Sequence, residues 1–303
     1  MLRALLLYLS ERKTPQQLLV HLPGARKLPQ RFIAGVTLAD ALAAVIRLKD
    51  AGFGFTLDHL GEGVHEPSAA ETACRGYIAM LDRLAHEGFR PNISIKLTAL
   101  GLAWDEALAR RHLAALAERA RRHHGFVRID MEGSPYVEGT LRAFRDVDAP
   151  SESLGVVIQS YLRRSAHDVD TLIARGARVR LVKGAYKEPA EIAFADKKDV
   201  DANFVELAER LLASGGYHAI ATHDPAMIAA AQDFARRQKI ASDRYEFQML
   251  YGVRRRLQRE LLRQGYRVRI YVPYGEQWYP YFMRRLAERP ANVLFLLRNL
   301  FRG

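Results

Sequence analysis

The chain has almost no cysteine. Cys74 is the single example in 303 residues, so no disulfide can form within the chain, and a reducing compartment, the cytoplasm, is the expected setting. Long apolar runs are missing too. Nothing approaches the roughly 18 consecutive residues of a membrane span, so an integral membrane protein is not expected. The apolar start, "MLRALLLYLSERK", is too short for a signal peptide and no small-residue cleavage site follows it. Its Leu2, Leu5, Leu6 and Leu9 fall at helical spacing, which suits either an arm helix packed on the body or a sticky surface for a partner or membrane. Glycine-rich phosphate loops are absent: neither G-x-G-x-x-G nor G-x-x-x-x-G-K-[ST] occurs, and "GEG" at 61 to 63 is too short to count. No Ser-, Gly- or Pro-rich linker divides the chain, so a single domain is expected, and no feature specifies an oligomeric state.

Acid is in short supply as well. Asp and Glu number 34 against 46 Lys and Arg, a net charge of +12 that invites a nucleic-acid reading through counterion release. The pattern argues otherwise. Arginines in "AERARRHHG" and "GVRRRLQRELLRQG" sit in amphipathic helical segments interleaved with Glu118, Glu260 and leucines, and no helix-turn-helix, zinc-finger or RNP-like signature accompanies them. Nucleic acid is therefore not the expected partner. A basic surface held peripherally at the inner face of the anionic cytoplasmic membrane fits the charge at least as well.

Eight short β-rich runs are present: "FGFTLDHL" (53–60), "ISIKLTAL" (93–100), "FVRIDME" (126–132), "GVVIQSY" (155–161), "VRLVKGA" (179–185), "HAIATHD" (218–224), "YEFQMLYG" (245–252) and "VRIYVPYG" (268–275). Segments of helical period separate them, such as "DEALARRHLAALAERARRH" and "DANFVELAERLLASGG", several closed by the glycine that helix C-termini favour. Parallel strands need crossover helices, and eight of them close a sheet, so the alternation predicts an α/β (β/α)8 TIM-type barrel over 51–303. Residues 1–50 form an N-terminal helical arm in this reading, since "TLADALAAVIRLKDAG" precedes the first strand, and the tail "NVLFLLRNLF" finishes the last helical layer.

Polar residues mark the C-terminal ends of these strands, where barrel enzymes build their sites. Asp58, His59, Lys96, Asp130, Glu132, Gln159, Tyr161, Lys183, Thr222, His223, Asp224, Gln248, Tyr271 and Tyr274 all fall there. Any one of them suits a cap or a satisfied core group, but their convergence on one rim points to an active site. A metal hydrolase is weakly supported, because His223 and Asp224 are sequence neighbours that point to opposite faces in strand geometry. A Schiff-base aldolase or transaldolase using Lys96 or Lys183 is a serious rival. In "THDP", Pro225 suits the first turn of a helix whose N–H groups either hold a pyrophosphate or are simply capped by Asp224.

The stretches "SIKLTALG", "RIDMEGS", "IQSYLRR", "RLVKGAY", "ATHDP", "YEFQMLYGVR" and "RIYVPYGEQWYPYFMRRLAERP" together resemble, in this order and from about Gly52 to Leu300, the proline dehydrogenase family in its bacterial monofunctional form. The resemblance implies a distorted (β/α)8 barrel that binds FAD non-covalently. It also implies oxidation of L-proline to Δ1-pyrroline-5-carboxylate, the first step of proline degradation to glutamate, by hydride transfer to flavin N5, with electrons passed to a membrane quinone. By the same resemblance, Asp130 and Arg180 are the active-site positions. Met131, Gln159, Lys183, Gly184, Ala185, Thr222 and His223 match flavin-binding positions. Lys96, Arg284 and Arg285 match the cations that bind the substrate carboxylate, with Tyr281 and Glu288 as neighbours of that clamp and Tyr271 packed beside the substrate ring, where a smaller residue is associated with 4-hydroxyproline. Glu62, in "HLGEGVHE", resembles an acid that gates the clamp.

The residue chemistry is consistent with these roles. On a helix, Tyr281 and Arg285 are four apart, as are Arg284 and Glu288, so aromatic, cation and anion share a side. An arginine fork takes a carboxylate bidentately, and aromatic walls exclude water. Arg180 is the fixed cation expected near flavin N5, with Lys183 adding positive charge. Arg180 and Lys183 differ in strand parity, so either the strand ends between them or each meets a different part of the flavin. Asp130 is too acidic in its reference state to be an obvious base and is assigned to ordering the cations, which leaves the acceptor of the substrate amine's proton unnamed.

Overall fold

A computed structural model describes residues 29–61 and 63–287. Residues 1–28 of the expected arm, Glu62, Glu288 and the tail at 292–301 lie outside them. Within them, α1 (Leu38–Asp50) leads into β1 (Gly54–His59), and strand and helix then alternate through α2 (Pro67–His86), β2 (Asn92–Ile95), α3 (Glu106–Arg122), β3 (Phe126–Ile129), α4 (Ser134–Asp146), β4 (Leu154–Gln159), α5 (Ser165–Ala174), β5 (Arg178–Val182), α6 (Lys197–Ala213), β6 (His218–Ala221), α7 (Pro225–Arg237), β7 (Tyr245–Leu250), α8 (Arg255–Arg263), β8 (Arg267–Tyr274) and α9 (Trp278–Ala287). All eight strands are parallel, and β8 pairs with β1 from Gly54↔Arg269 to His59↔Tyr274, so the sheet closes into the expected barrel.

Local signals fix the helices. Thr37 and Asp40 form a reciprocal capping box at the start of α1, with Asp40 N–H donating to Thr37 Oγ1 at 3.1 Å and Thr37 N–H to Asp40 Oδ2 at 3.0 Å. Gly265, at φ +84, turns the chain out of α8 in the left-handed conformation that a side chain would strain. α1 lays Ala41, Leu42, Ala44 and Val45 against β8 and β1.

The strands alternate sharply between two environments. Leu57, Ile93, Ile95, Val127, Ile129, Val156, Val179, Leu181, Ile220, Phe247, Ile270 and Val272 are buried among the helices. The opposite faces carry Thr56, Ser94, Arg128, Arg180, Glu246 and Gln248, also buried, and half-buried Arg269. Arg180 of β5 donates to Ser94 of β2, a strand it does not adjoin, so this contact crosses the inside of the barrel. The interior is thus a polar, ion-paired core, unlike the branched apolar layers usual in such barrels.

Its lower layer centres on Glu246. Arg269 Nε donates to Glu246 Oε1 at 2.7 Å, Tyr217 OH donates to Oε2 at 3.0 Å, and Gln248 Nε2 donates to Oε1. Burial works against the Glu246 carboxylate, but Arg269, Gln248 and Arg128 outweigh it and hold the group at about 2 instead of 4.5. A carboxyl whose folded pKa is depressed contributes stability that is present above the unfolded value and lost as pH falls through the folded one. Glu246→Gln is therefore expected to lower unfolding stability by about 3 kcal/mol at neutral pH. In urea titrations the gap should close as pH drops from 4.5 towards 2.

Candidate active site

β2, β3, β5 and β6 stop just short of the polar residues that follow them, whereas β1, β4, β7 and β8 carry theirs within the strand. β2 ends at Ile95, so Lys96 heads a short 3-10 turn, Leu97–Leu100. That turn is fixed by Glu132 beyond β3, whose carboxylate accepts the Thr98 N–H at 3.1 Å and the Thr98 hydroxyl at 2.6 Å. Gln159 Nε2 in turn donates to the Glu132 carbonyl at 2.9 Å. The rims of β2, β3 and β4 are thereby one hydrogen-bonded unit. β5 ends at Val182, which removes the parity difficulty: Arg180 points into the barrel, while Lys183 belongs to the loop above it. Gly184 turns that loop at φ +112 so close to Tyr161 that a Cβ there would lie 2.2 Å from the ring.

Asp130 anchors the floor of the site. Its Oδ1 accepts Arg180 Nη1 at 2.7 Å and its Oδ2 accepts the Tyr271 hydroxyl at 2.7 Å, joining β5 and β8 to the end of β3. The Arg180 guanidinium also lies over the Tyr271 ring, 5.4 Å from its centroid. Burial, followed by the charges of Asp130 and Asp58, pushes the Tyr271 phenol well above its usual pKa, so it remains a hydrogen-bond donor. Beside this array Lys96 Nζ donates to Asp58 Oδ1 at 3.2 Å. Asp58 is 1% exposed; burial raises its pKa, Lys96 opposes the rise, and nearby Asp130 reinforces it.

A second ionic group lies across the mouth. Lys183 Nζ donates to Asp201 Oδ1 at 2.5 Å and to Asp224 Oδ2 at 2.9 Å. The Lys183 hydrogen bond holds Asp224 below its ordinary value against the opposing effect of burial. Asp224 also caps α7 by accepting the Ala226 N–H at 3.1 Å, so the capping reading of "THDP" holds. His223 and Asp224 lie past the end of β6, where strand parity no longer applies, and His223 Nε2 accepts the Leu250 N–H at 2.8 Å. Lys96 and Lys183 both lie against carboxylates, unlike the apolar pocket that frees a lysine nucleophile. Among the described residues no group of three or more His, Cys, Asp or Glu is gathered to hold a metal ion.

Helix α9 completes the wall. Arg285 stacks on Tyr281 at 5.2 Å, as their four-residue spacing predicts. Together these elements enclose a cavity of about 660 Å3. Lys96, Asp130, Met131, Gln159, Arg180, Lys183, Gly184, Ala185, Thr222, His223, Tyr271, Tyr281, Arg284 and Arg285 all line it, which is every expected site residue among the described ones. Glu62 and Glu288 are the two outside them.

Six cations line the cavity, Lys96, Arg180, Lys183, Arg254, Arg284 and Arg285, against the carboxylates of Asp58, Asp130 and Asp224, an excess suited to anionic ligands. Apolar Val157, Val182, Met249 and Leu250 alternate with them. Gln248, also in the lining, keeps a buried Oε1 with no hydrogen-bond partner. Such a lining fits a flavin nucleotide, whose ring is flat and apolar in its body and whose edges and phosphates are polar.

Some residues escaped the sequence reading. Asp58 and Gln248 were visible as polar strand ends but had no role assigned. Asp201, on α6, carries no local signal. Arg254 enters the cavity from a left-handed turn at φ +49, which a non-glycine residue does not advertise.

The Proline dehydrogenase family model matches residues 41–298. The chain is 41% identical to Proline dehydrogenase 1 of Bacillus subtilis (strain 168), over 100% of both chains. It is 39% identical to the Proline dehydrogenase of Deinococcus radiodurans, over 91% of each. Among solved structures it is similar to proline utilization A (PutA) from Bdellovibrio bacteriovorus inactivated by N-propargylglycine, with a TM-score of 0.82 and 28% identity. That match covers 87% of this chain and 33% of the longer PutA chain. Gly184→Ala is expected to leave the barrel folded by circular dichroism while lowering the flavin retained on purification several-fold, because the loop beside Tyr161 must move.

Proposed function

The chain belongs to the proline dehydrogenase family, and on that premise we propose that it oxidises L-proline to Δ1-pyrroline-5-carboxylate with FAD as the hydride acceptor and passes the electrons to a membrane quinone. Proline oxidation in proline catabolism is the activity that membership carries. The observation that supports the finer reading is the cationic cavity around the Asp130, Arg180 and Tyr271 cross-link.

In this reading one catalytic domain, 51–303, carries the chemistry, and 1–50 is an accessory arm. Met131, Gln159, Lys183, Gly184, Ala185, Thr222 and His223 would hold FAD, which supplies a two-electron acceptor at its N5 when bound. Arg284, Arg285 and Lys96 hold the substrate carboxylate; Glu288 and Glu62, which the resemblance assigns to the clamp and its gate, lie outside the described residues. Tyr281 fixes Arg285 and excludes water from it. Tyr271 packs against the substrate ring. Asp130 keeps Arg180 in one orientation, so its charge is already aimed where negative charge develops and no reorganisation is needed.

The surface supports a membrane-bound acceptor. On the other helices many arginines are paired, as in Arg142 to Glu106 at 3.0 Å and Arg210 to Asp170 at 2.9 Å. Arg254, Arg255, Arg256, Arg259 and Arg263, on α8 and its cap, are exposed, and none pairs with an acid among the described residues. Arg255, Arg259 and Arg263 recur every four residues, a cationic stripe suited to anionic lipid. No helix among the described residues is long and apolar enough to cross a membrane.

Purified protein is expected to be yellow and to bleach under anaerobic L-proline, with Arg284→Met or Arg285→Met raising KM roughly ten- to hundred-fold through loss of a charge-assisted contact. A colourless protein that FAD cannot reconstitute, or a borohydride-trapped lysine adduct, would overturn the reading. The holoenzyme is also expected to sediment with phosphatidylglycerol vesicles containing quinone. Combining Arg255→Glu, Arg259→Glu and Arg263→Glu should weaken sedimentation several-fold without changing reduction by proline; equal sedimentation removes α8 from the reading.

A further inference from the structure

A secondary ammonium must lose a proton before its nitrogen lone pair can assist departure of hydride from the neighbouring carbon. The groups lining the cavity differ in their capacity to accept that proton. Asp130 has both oxygens engaged, one by Arg180 at 2.7 Å and the other by Tyr271 at 2.7 Å. Asp224 is engaged by Ala226 at 3.1 Å on one oxygen and by Lys183 at 2.9 Å on the other. The Nε2 of His223 already accepts the Leu250 N–H at 2.8 Å. Asp58 is different: Lys96 occupies Oδ1 at 3.2 Å, while Oδ2 is buried and accepts no hydrogen bond.

From this geometry, and resting on the function proposed above, we propose that Asp58 accepts the proton shed by the substrate's ring nitrogen. The nitrogen and the carboxylate of proline are attached to the same carbon. A carboxylate held by Lys96 therefore brings the amine beside Lys96's own partner, Asp58. In the step, one N–H bond of the ring ammonium breaks and its electron pair stays on nitrogen. An O–H bond forms at Asp58 Oδ2, and the proton returns to water after product leaves. Neutralising Asp58 also releases the charge of Lys96 to the substrate carboxylate, so proton transfer tightens the clamp.

The surroundings favour proton uptake by Asp58. Lys96 follows β2, Asp130 follows β3 with Arg180 behind it, Tyr271 and Tyr274 stand on β8, Tyr77 on α2, and His59 is next on the same strand. Burial, then the charge of Asp130, raise the Asp58 pKa, and Lys96 limits the rise. Tyr271 is close enough to favour the charged form of Asp58, yet its hydroxyl proton goes to Asp130.

The test compares holoenzymes. Asp58→Asn keeps an oxygen for Lys96 but cannot take a proton. Its kcat/KM for L-proline at pH 7 is expected to fall about a hundred-fold or more. That deficit should shrink as pH rises towards the ordinary range of a secondary ammonium, because the free amine then arrives unaided. Binding of tetrahydrofuran-2-carboxylate, which has the carboxylate but no N–H, should change less than three-fold. Asp58→Ala should be rescued several-fold by added formate, which gives an independent reading if the asparagine variant takes up little flavin. A loss uniform with pH, loss of tetrahydrofuran-2-carboxylate binding, or no rescue by formate would reduce Asp58 to a positioning residue and overturn the proposal. Failure of wild-type flavin to bleach with L-proline would instead overturn the proposed function.

Discussion

The cross-link of Asp130 to Arg180 and Tyr271 is the contact from which the rest of the site takes its position. It joins residues from the third, fifth and eighth strands at the level where the sheet ends. A buried guanidinium is costly unless its charge is met, and Arg180 is met by a carboxylate on Nη1, a serine hydroxyl on Nη2 and an aromatic face, with only its buried Nε left without a hydrogen bond. Each partner comes from a different strand, so shifting any one strand by a residue would abandon a buried charge. The network therefore specifies register as well as chemistry. It adds little to net stability, since buried pairs roughly offset their own desolvation, and what it contributes is one defined geometry.

Stability has to come from elsewhere, and the strand pattern shows where. Outward-facing Val, Ile and Leu side chains pack under the helices, so the hydrophobic core is a ring around the barrel. The interior is left to ion pairs in two layers, Glu246 with Arg269 below and Asp130 with Arg180 above. The lower layer is tied to the site: Gln248, which lines the cavity, donates its amide to Glu246. Removing the lower charge would leave buried Arg128 and half-buried Arg269 without their counterion beneath the site.

Much of this was legible in the sequence because barrel strands advertise themselves twice, by alternating apolar residues and by the polar residues that close them. The runs ending at Leu100, Glu132, Ala185 and Asp224 were nevertheless drawn three to five residues too long, since the strands stop at Ile95, Ile129, Val182 and Ala221. The error has a physical basis: backbone that leaves a strand to present Lys96 or Lys183 keeps a β-like composition while its hydrogen bonds turn elsewhere. The clamp and flavin positions were readable only through family resemblance. Asp201 and Arg254 were invisible because their relevance depends on where a distant helix and a left-handed turn bring them. Asp58 could be read as a strand end, but nothing linear shows that one of its oxygens is left without a donor.

The stretch Tyr271–Pro290 shows why residue type alone does not name a ligand. Aromatic rings around two arginines suit a phosphate, a nucleic-acid backbone or a carboxylate equally well. The chain's placement of them decides. Tyr271 hangs from the end of β8 into the barrel, and Arg284 and Arg285 reach the same cavity from α9, on the far side of a short turn. They share with Lys96 and Asp58 the lining of one partly apolar pocket of about 660 Å3, a size suited to small ligands and not to a nucleic-acid backbone. A small amino acid matches it better: its carboxylate meets the excess of cations, and its amine meets the acids between them. The basic stripe on α8 remains outside, where a large anionic surface has room to approach.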